Sequence, residues 1–406
     1  ACRNRAATGL RAAREVLPLF LRTFKYLWPE RYEPEPELDD PYAVPAGARP
    51  PAPAGVLLVN LGTPDEPTAP AIRRYLAQFL SDPRVIEIPR YLWLPILHGI
   101  VLRTRPRKVA PRYASVWMEG GSPLLVYSRR QAQALQARLD ARGAHVRVEL
   151  AMRYGNPSIA EALRRLRAQG CQRVLTVPLY PQYSASTTAA VVDEVGRVAA
   201  RLRDQPEMRF VKRFHDDPGY LQALAATIRD HWSRNGEPQK LVLSFHGLPR
   251  QSIELGDPYY RDCMETARAL AGRLGLPEGR LEVCFQSRFG AARWLEPYTE
   301  PTLKELARTG VASVDVACPG FVADCIETLE EIAQEGRDAF LQAGGRQFRY
   351  IPALNDSPAW IEALADLVQR HLQGWPGQGE TSRPDAGRVG PADHPSASGG
   401  GASAPA

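Results

Sequence analysis

The sequence contains few cysteines and no long apolar run. Its six cysteines are spread over 406 residues without paired spacing, which argues against a disulfide framework and favours a reducing compartment such as the cytoplasm. The apolar runs stop well short of the ~20 residues that a membrane-spanning helix needs. No Gly-x-Gly-x-x-Gly or Walker-type loop follows any predicted strand, so nothing indicates a dinucleotide or phosphate ligand.

The remaining composition is that of an ordinary globular protein. Hydrophobic residues make up 44% of the chain and charged residues 24%, and the length allows two domains with well-buried cores. The net charge is +6, but the arginines are spread among predicted helices instead of lining a groove. Because no nucleic-acid motif is present, we expect no nucleic-acid partner, although some arginines could meet an acidic ligand or a lipid surface.

The two ends of the chain lack a strand pattern. Residues 11–28 mix apolar and basic side chains and could form an amphipathic helix on a membrane surface, but they do not form a secretory signal. Residues 29–53 are rich in proline and acid, which predicts an extended linker. We therefore interpret residues 1–54 as an extension and linker, and the Gly-, Pro-, Ser- and Ala-rich residues 374–406 as a disordered tail.

Between these ends the chain repeats the same order of strand and helix signals. Residues 55–217 and residues 218–373 each contain four short apolar strands that alternate with helices. This pattern predicts an α/β protein of two similar doubly wound domains, each with a four-stranded parallel sheet. Because ligands bind at the carboxyl ends of parallel strands, both sets of strand ends can face one cleft. The corresponding segments are 55–64 with 241–249, 146–155 with 281–290, 173–178 with 313–319, and 208–218 with 348–358.

A histidine ends the first strand of the second half. The apolar run at 241–243 leads into the sequence Ser-Phe-His-Gly at 244–247, so His246 lies at a strand end. In parallel sheets of this kind that is where chemistry takes place. A histidine that only caps a turn is the alternative.

An acidic helix follows the third strand of the second half. Asp324, Glu327, Glu331 and Glu335 recur about one helical turn apart, beside an apolar stripe. Carboxylates at this spacing repel one another, raise one another's proton affinity and titrate together. They can therefore pass protons or hold a divalent cation loosely. The alternative is a solvated acidic face.

An insertion, which we call the lip, occupies residues 79–123 of the first half. It combines apolar and aromatic residues at 88–97 with a following series of arginines. Because prolines interrupt the apolar part, we do not expect one long helix there. We interpret the lip as a surface that grips a flat apolar ligand carrying carboxylates or touches a membrane. A helical hairpin packed into the core is the alternative.

Six short motifs are distributed over the two halves. They are NLGTP at 60–64, GGSP at 120–123, YPQYS at 180–184, SFHGLP at 244–249, GDPY at 256–259 and the acidic segment 324–331. Together they resemble ferrochelatase in its proteobacterial form, over about residues 55–373. The resemblance implies that Fe2+ replaces the two pyrrole protons of protoporphyrin IX, which gives protohaem in the last step of haem biosynthesis. It also implies two flavodoxin-like halves around a porphyrin cleft.

The resemblance implies a catalytic role for two residues. His246 and Glu327 would form the catalytic and metal-contacting pair, while Asp324, Glu331 and Glu335 would relay protons or iron. Imidazole and carboxylate suit Fe2+ without the tight grip of thiolates, and a chelatase must release its metal.

The same resemblance implies that side chains from both halves hold the porphyrin. Arginine suits propionate groups because of its bidentate fork, and Arg105 and Lys108 are additional candidates. The implied porphyrin-binding residues are Leu61, Tyr113, Ser122, Arg153, Tyr154, Tyr180, Tyr259 and Trp294.

We expect no tightly bound cofactor, because Fe2+ is a substrate. Some members of the family carry a [2Fe–2S] cluster, in animal forms through C-terminal cysteines and a cysteine at the position of Ala185; residues 374–406 contain none. We therefore predict no such cluster and buried structural roles for Cys318 and Cys325. The alternatives for function are a coproporphyrin or other tetrapyrrole chelatase, and a non-catalytic tetrapyrrole carrier that needs no proton relay.

Overall fold

The computed structural model describes residues 52–290 and 292–375. The predicted amphipathic helix at 11–28, and nearly all of the predicted linker and tail, lie outside this part of the chain. Among the described residues, no helix combines the length and the apolar character that a membrane span requires.

Two parallel sheets form the frame of the protein. Their strands are β1 (Ala54–Thr63), β2 (Val146–Gly155), β3 (Arg173–Pro178), β4 (Glu207–Phe210), β5 (Lys240–His246), β6 (Leu281–Gln286), β7 (Ser313–Ala317) and β8 (Gln347–Tyr350). The strand orders are β2-β1-β3-β4 and β6-β5-β7-β8. The predicted pair of four-stranded parallel sheets with one topology is thus confirmed. β1 is buried along nearly all of its length, as expected for an apolar parallel strand that is covered on both faces.

Helices follow nearly every strand and cover the sheets. The α-helices are α1 (Ala69–Phe79), α2 (Arg90–Ile96), α3 (Leu102–Val116), α4 (Pro123–Ala141), α5 (Ile159–Ala168), α6 (Ala190–Ala199), α7 (Pro218–Asn235), α8 (Arg250–Glu254), α9 (Tyr259–Leu274), α10 (Thr299–Arg308), α11 (Ile326–Leu329), α12 (Arg337–Gln342) and α13 (Pro358–Leu372). Three π-helical turns, at Leu97–Val101, Ala185–Ala189 and Glu331–Gly336, interrupt this pattern. π turns are rare and often occur at functional sites.

The last helix of the chain packs against the first half. α7, the helix that begins just after residue 217, stays with the second half, because its Trp232 Nε1 donates a hydrogen bond to the buried Asp315 Oδ2 of β7 (2.9 Å). α13 completes the second half, yet its Asp366 Oδ1 accepts a hydrogen bond from Arg142 Nη1, just after α4 (2.7 Å). One continuous apolar cluster therefore joins the two halves. For this reason the division of the chain at residue 217 stays a prediction.

The lip is helical from Arg90 to Val116. The expectation that prolines prevent one long helix is therefore wrong. Pro95 removes an N–H donor that the carbonyl group of Tyr91 would otherwise use. Tyr91 is 77% exposed, so water can serve that carbonyl, and the π turn that begins at Leu97 absorbs the local change in winding. One side of the lip packs into a core cluster, while its other side stays exposed.

Candidate active site

His246 lies at the carboxyl end of β5, as predicted. It is half-buried, and its Nδ1 lies 2.7 Å from the carbonyl oxygen of Gly247. An imidazole that donates from Nδ1 carries its lone pair on Nε2, where it can accept a proton or bind a metal. The hydroxyl group of Tyr259 donates to the carbonyl oxygen of His246 (2.9 Å). The rings of Trp294 and Phe321 lie 6.4 Å from the imidazole ring.

The end of the neighbouring strand β6 holds two of the predicted glutamates. Gln286 Nε2 donates to the backbone carbonyl of Glu327 (2.7 Å). Ser287 donates to the two carboxylate oxygens of Glu331, from its backbone N–H (2.6 Å) and from its hydroxyl group (2.5 Å). Ser287 has a positive φ of 65°, which is unusual for a residue other than glycine and often marks a functional site.

The charges of these residues act on one another. Burial raises the pKa of Glu331, whereas the hydrogen bonds from Ser287 and the charge of His246 lower it, and Glu327 raises it. The structure thus brings His246, Glu327 and Glu331 together at the ends of adjacent strands. Such a group combines imidazole and carboxylate, which can serve as proton acceptors and can hold a cation between them.

The acidic ladder does not keep the spacing of an α-helix. α11 ends at Leu329, and the π turn Glu331–Gly336 follows, in which Glu335 N–H bonds to the carbonyl oxygen of Glu330 (3.0 Å). The extra residue in this turn rotates the helix, so that Glu330 is buried (7% exposed) and the Glu335 side chain is 49% exposed. The sequence reasoning did not include Glu330. No signal in the apolar pattern indicates where a π turn begins.

Arg112 of the lip reaches across to this π turn. Its guanidinium group lies 3.5 Å from Glu330 Oε2 and 2.8 Å from Glu335 Oε1. Burial and the neighbouring charge of Glu335 raise the pKa of Glu330 to about 7, although Arg112 opposes the shift. A buried carboxyl group that titrates near neutral pH is well suited to proton transfer.

Asp324 is buried among hydrogen-bond donors. Its Oδ1 accepts from Thr328 Oγ1 (2.9 Å), Tyr350 Oη (2.5 Å) and the N–H of Ala353 (3.3 Å), and its Oδ2 accepts from Asn355 Nδ2 (2.7 Å). These bonds tie the start of α11 to the loop after β8. The predicted part of Asp324 in a relay stays a prediction, since the structure gives its oxygen atoms structural partners.

Aromatic hydroxyl groups gather near Glu327. Burial raises the pKa of Tyr113 and of Tyr75, and the charge of Glu327 adds to both shifts. Tyr75, which lies on α1, was not included among the predicted site residues. The hydroxyl group of Tyr180 and the Nε1 of Trp294 are buried and have no hydrogen-bond partner among the described residues. Buried polar groups are rarely left unpaired, so both atoms are candidates for ligand contact.

Two of the residues predicted to bind propionate groups, Arg153 and Tyr154, instead contact a carboxylate of the protein, that of Asp82. Arg153 forms an ion pair with Asp82, and the hydroxyl group of Tyr154 donates to the same carboxylate (2.8 Å). Arg153 Nε also donates to the carbonyl oxygen of Ala190 (2.8 Å). Asp82 therefore organises this part of the first half. Propionate binding by Arg153 and Tyr154 stays a prediction without a contact that favours it.

The remaining predicted residues lie in the lip or beside it. Ser122 accepts from the N–H of Leu125 (3.3 Å) and caps α4. Leu61 is half-buried and packs against the lip. The guanidinium group of Arg105 lies 4.3 Å from the centre of the Phe289 ring, so the lip contacts the loop after β6. Lys108 is exposed and remains available to an anionic group.

Two glycines permit close approaches at the strand ends. Gly62, at φ +110°, lies so near Tyr154 that an added Cβ would stand 1.7 Å from its carbonyl oxygen. At Gly247 an added Cβ would meet the carbonyl oxygen of Gln286 at 2.8 Å and the Trp294 ring at 3.1 Å. Only glycine fits these positions, which explains its place in both strand-end motifs.

The described cysteines are free and buried. This holds for Cys318 and Cys325, as predicted, and for the others, which are Cys171, Cys263 and Cys284. Burial raises their pKa, for Cys171 to about 11 and for Cys284 to about 12. They are therefore protonated thiols at neutral pH, which suits a packing role.

The chain was compared with known proteins. A family model described as Ferrochelatase matches residues 53–372. A ferrochelatase of Bordetella pertussis is 70% identical over 358 residues, which cover 88% of this chain and 99% of that protein. A ferrochelatase of Methylibium petroleiphilum is 62% identical over 323 residues, which cover 80% of this chain and 89% of that protein. The solved structure of SirB from Bacillus subtilis with Fe3+ is 15% identical, covers 79% of this chain and 95% of that chain, and gives a TM-score of 0.48.

Proposed function

The chain belongs to the ferrochelatase family and forms protohaem by inserting Fe2+ into protoporphyrin IX, and we propose that His246 and Glu327 perform the insertion. The observation that supports this most directly is the position of His246. It lies at a strand end, with Nδ1 held 2.7 Å from the carbonyl oxygen of Gly247, and its charge acts on the Glu331 carboxylate that Ser287 holds just after β6. The reaction class is that of a lyase.

The insertion requires two protons to leave while the metal arrives. Two pyrrole N–H bonds break and iron–nitrogen bonds form, so two proton acceptors are needed at close range. His246 Nε2 accepts one proton. Glu331 accepts the second, because burial raises its pKa and so increases its proton affinity. Glu327, whose charge acts on Glu331, contacts the ion through oxygen and releases it readily.

A path for the protons leads from this group to solvent. Glu330 is buried and has a pKa of about 7, so it can both gain and lose a proton at neutral pH. Glu335 is half-exposed, and Arg112 lies within 4 Å of both carboxylates, at 3.5 Å and 2.8 Å. We infer that protons pass from Glu331 through Glu330 to Glu335, with Arg112 holding the two outer carboxylates.

The porphyrin is held between aromatic side chains of the two halves. Tyr180 and Trp294 each bury a polar atom that has no partner in the part of the chain that the structure describes. Tyr113 and Tyr259 line the same region beside Glu327 and His246. The flat walls suit a macrocycle. Arg105 and Lys108 of the lip are candidate cations for the propionate groups, since Arg153 is already paired with Asp82.

Anaerobic mixing of the protein with protoporphyrin IX and Fe2+ tests this assignment. We expect porphyrin fluorescence to fall and a haem spectrum to appear, with turnover lost in both His246→Ala and Glu327→Gln. His98→Ala, at an exposed position of the lip, serves as the control. Full turnover by either cleft variant would refute its assigned role.

Porphyrin binding separates the enzyme from a non-catalytic carrier. Glu327→Gln should still bind protoporphyrin, as measured by fluorescence, and should fail to metallate it. If the native chain bound the porphyrin but inserted no metal into it, the protein would be a non-catalytic carrier instead of an enzyme. A higher kcat/KM for coproporphyrin than for protoporphyrin would identify coproporphyrin as the preferred substrate. The assigned reaction class would stay the same.

We also propose that the lip touches a membrane surface and that the protein works in the cytoplasm at that surface. Tyr91, Leu92 and Ile100 are exposed by 77%, 52% and 61%, and arginines flank them. Exposed apolar groups beside cations suit the interface of an anionic bilayer. Replacement of all three by serine should abolish sedimentation with phosphatidylglycerol vesicles. The control Leu255→Ser, at a residue 72% exposed elsewhere, should leave it unchanged; equal loss in both would argue against the lip.

Iron is a substrate in this proposal, and we propose that no [2Fe–2S] cluster is present. Two observations support this: Ala185 stands where animal members place a cysteine, and the described cysteines are buried thiols with raised pKa. Assay of acid-labile sulfide in protein purified without oxygen tests it. Two sulfides per chain would refute it.

A further inference from the structure

A second group of metal-binding side chains lies where the two halves meet. His215 follows β4 of the first half, and Asp262 and Glu265 lie one turn apart on α9 of the second half. One ligand atom from each residue lies within 4.8 Å of the others. The side chains of His215 and Asp262 are 1% and 0% exposed, whereas Glu265 is 40% exposed. The group therefore has one edge open to solvent.

The imidazole of His215 is held at one nitrogen and unpaired at the other. Its Nε2 lies 2.8 Å from Glu265 Oε2. Its Nδ1 is buried and has no hydrogen-bond partner among the described residues. Donation from Nε2 to Glu265 leaves the lone pair on Nδ1. Histidines that bind metals usually donate their other N–H to a carboxylate in this way.

The unpaired nitrogen faces two carboxylates at a distance that suits an ion. Asp262 Oδ2 lies 3.8 Å from Nδ1, and Asp216 Oδ1 lies 3.7 Å from it. Both distances are too long for a hydrogen bond. Two ligands that each lie about 2.1 Å from a tetrahedral ion are about 3.4 Å apart. Asp216 is 75% exposed, so its side chain can adjust.

The surrounding charges fix Asp262 and moderate the affinity. Arg213 Nη1 donates to Asp262 Oδ1 (2.8 Å), and the N–H of Tyr183 donates to Asp262 Oδ2 (3.2 Å). Arg261 Nε lies 3.8 Å from Glu265 Oε1. These two guanidinium groups lower the affinity for a cation, so binding is weaker than at a thiolate site. Imidazole with carboxylates suits Zn2+ or Fe2+ better than Mg2+ or Ca2+.

We propose that His215, Asp262 and Asp216 bind a divalent transition-metal ion, with Glu265 positioning the histidine. The site is separate from His246 and is independent of the proposed reaction. Since its ligands come from both halves, the ion connects the loop after β4 to α9. An ion that binds only the folded protein stabilises it, so the melting temperature should rise with Zn2+ concentration.

Calorimetric titration of the full chain with Zn2+ tests the site. The His246→Ala background reduces binding in the cleft, so the titration reports on the second site. We expect the His246→Ala variant to bind one equivalent of Zn2+ at the second site. This equivalent should be lost in the double variant His246→Ala/His215→Gln. Glutamine keeps a donor for Glu265 but is a poor metal ligand. His98→Ala, added instead, should leave the equivalent in place.

Two further measurements, of Zn2+ affinity and of the melting temperature, test the site independently of the stoichiometry. Glu265→Gln should weaken Zn2+ binding by about 10- to 100-fold, the usual effect of removing the carboxylate behind a metal-bound histidine. The rise in melting temperature with Zn2+ should vanish with His215→Gln, while circular dichroism shows an unchanged fold. If His215→Gln kept both the stoichiometry and the Zn2+-dependent rise, the proposal would be refuted. If His215→Gln does not fold, Glu265→Gln becomes the deciding variant. An unchanged affinity of Glu265→Gln for Zn2+ would also refute the proposal.

Discussion

Glu330→Gln should stabilise the protein, and the gain should grow with pH. Glu330 is 7% exposed, and burial together with the charge of Glu335 raises its pKa from the ordinary value of 4.5 to about 7. The folded protein thus holds a proton that the unfolded chain releases. Between these two pKa values the free energy of unfolding falls as pH rises.

The size of the effect follows from the two pKa values. They differ by about 2.5 units, and each unit corresponds to about 1.36 kcal/mol. Ionisation of Glu330 then costs the folded state about 3 kcal/mol at pH 8, but only about 1 kcal/mol at pH 5, which lies just above the pKa of the unfolded chain. Glutamine has the shape of the protonated side chain and carries no charge. The variant should therefore gain about 2 kcal/mol more at pH 8 than at pH 5.

Urea unfolding at pH 5, 6, 7 and 8 measures this gain. Glu335→Gln is the matched control, because Glu335 lies in the π turn that follows Glu330 and contacts the same arginine but has a side chain that is 49% exposed. Its stability should change by less than about 1 kcal/mol at any pH, as for other exposed pairs. A gain for Glu330→Gln that is independent of pH, or a loss at pH 8, would refute the reasoning.

Two further predictions concern strand ends. Ser287→Ala removes one of the hydrogen bonds that lower the pKa of Glu331. The acid limb of the pH profile of kcat should therefore move to higher pH. An unmoved limb would show that Glu331 takes no part in the rate-limiting proton transfer. Gly62→Ala places a Cβ 1.7 Å from the carbonyl oxygen of Tyr154 and should cost more than about 3 kcal/mol in urea unfolding. Gly99→Ala, where nothing lies within 4 Å, should cost far less; equal costs would show that the close approach does not matter.

Some features of the protein follow from the order of its residues alone. Apolar runs of strand length that alternate with helices, twice over, predict two parallel sheets, since parallel strands are buried on both faces. The end of such a strand is where a ligand binds, so the position of His246 could be predicted without coordinates. The motifs around it carry the resemblance to ferrochelatase, because close approaches at Gly62 and Gly247 permit no other residue.

Only the tertiary structure decided which acidic side chains turn inward. The spacing from Glu327 to Glu335 predicts one α-helical face, but with the π turn Glu330 is buried and Glu335 is exposed. The carboxylates here are bound by Arg112 and Ser287, which come from distant parts of the chain. Likewise, Arg153 is paired by Asp82, a partner 71 residues away. The packing of α13 against the first half also depends on tertiary contacts. A sequence pattern specifies which residues are apolar on one element, whereas the partner of a buried charge is chosen by contacts that exist only when both halves are folded together.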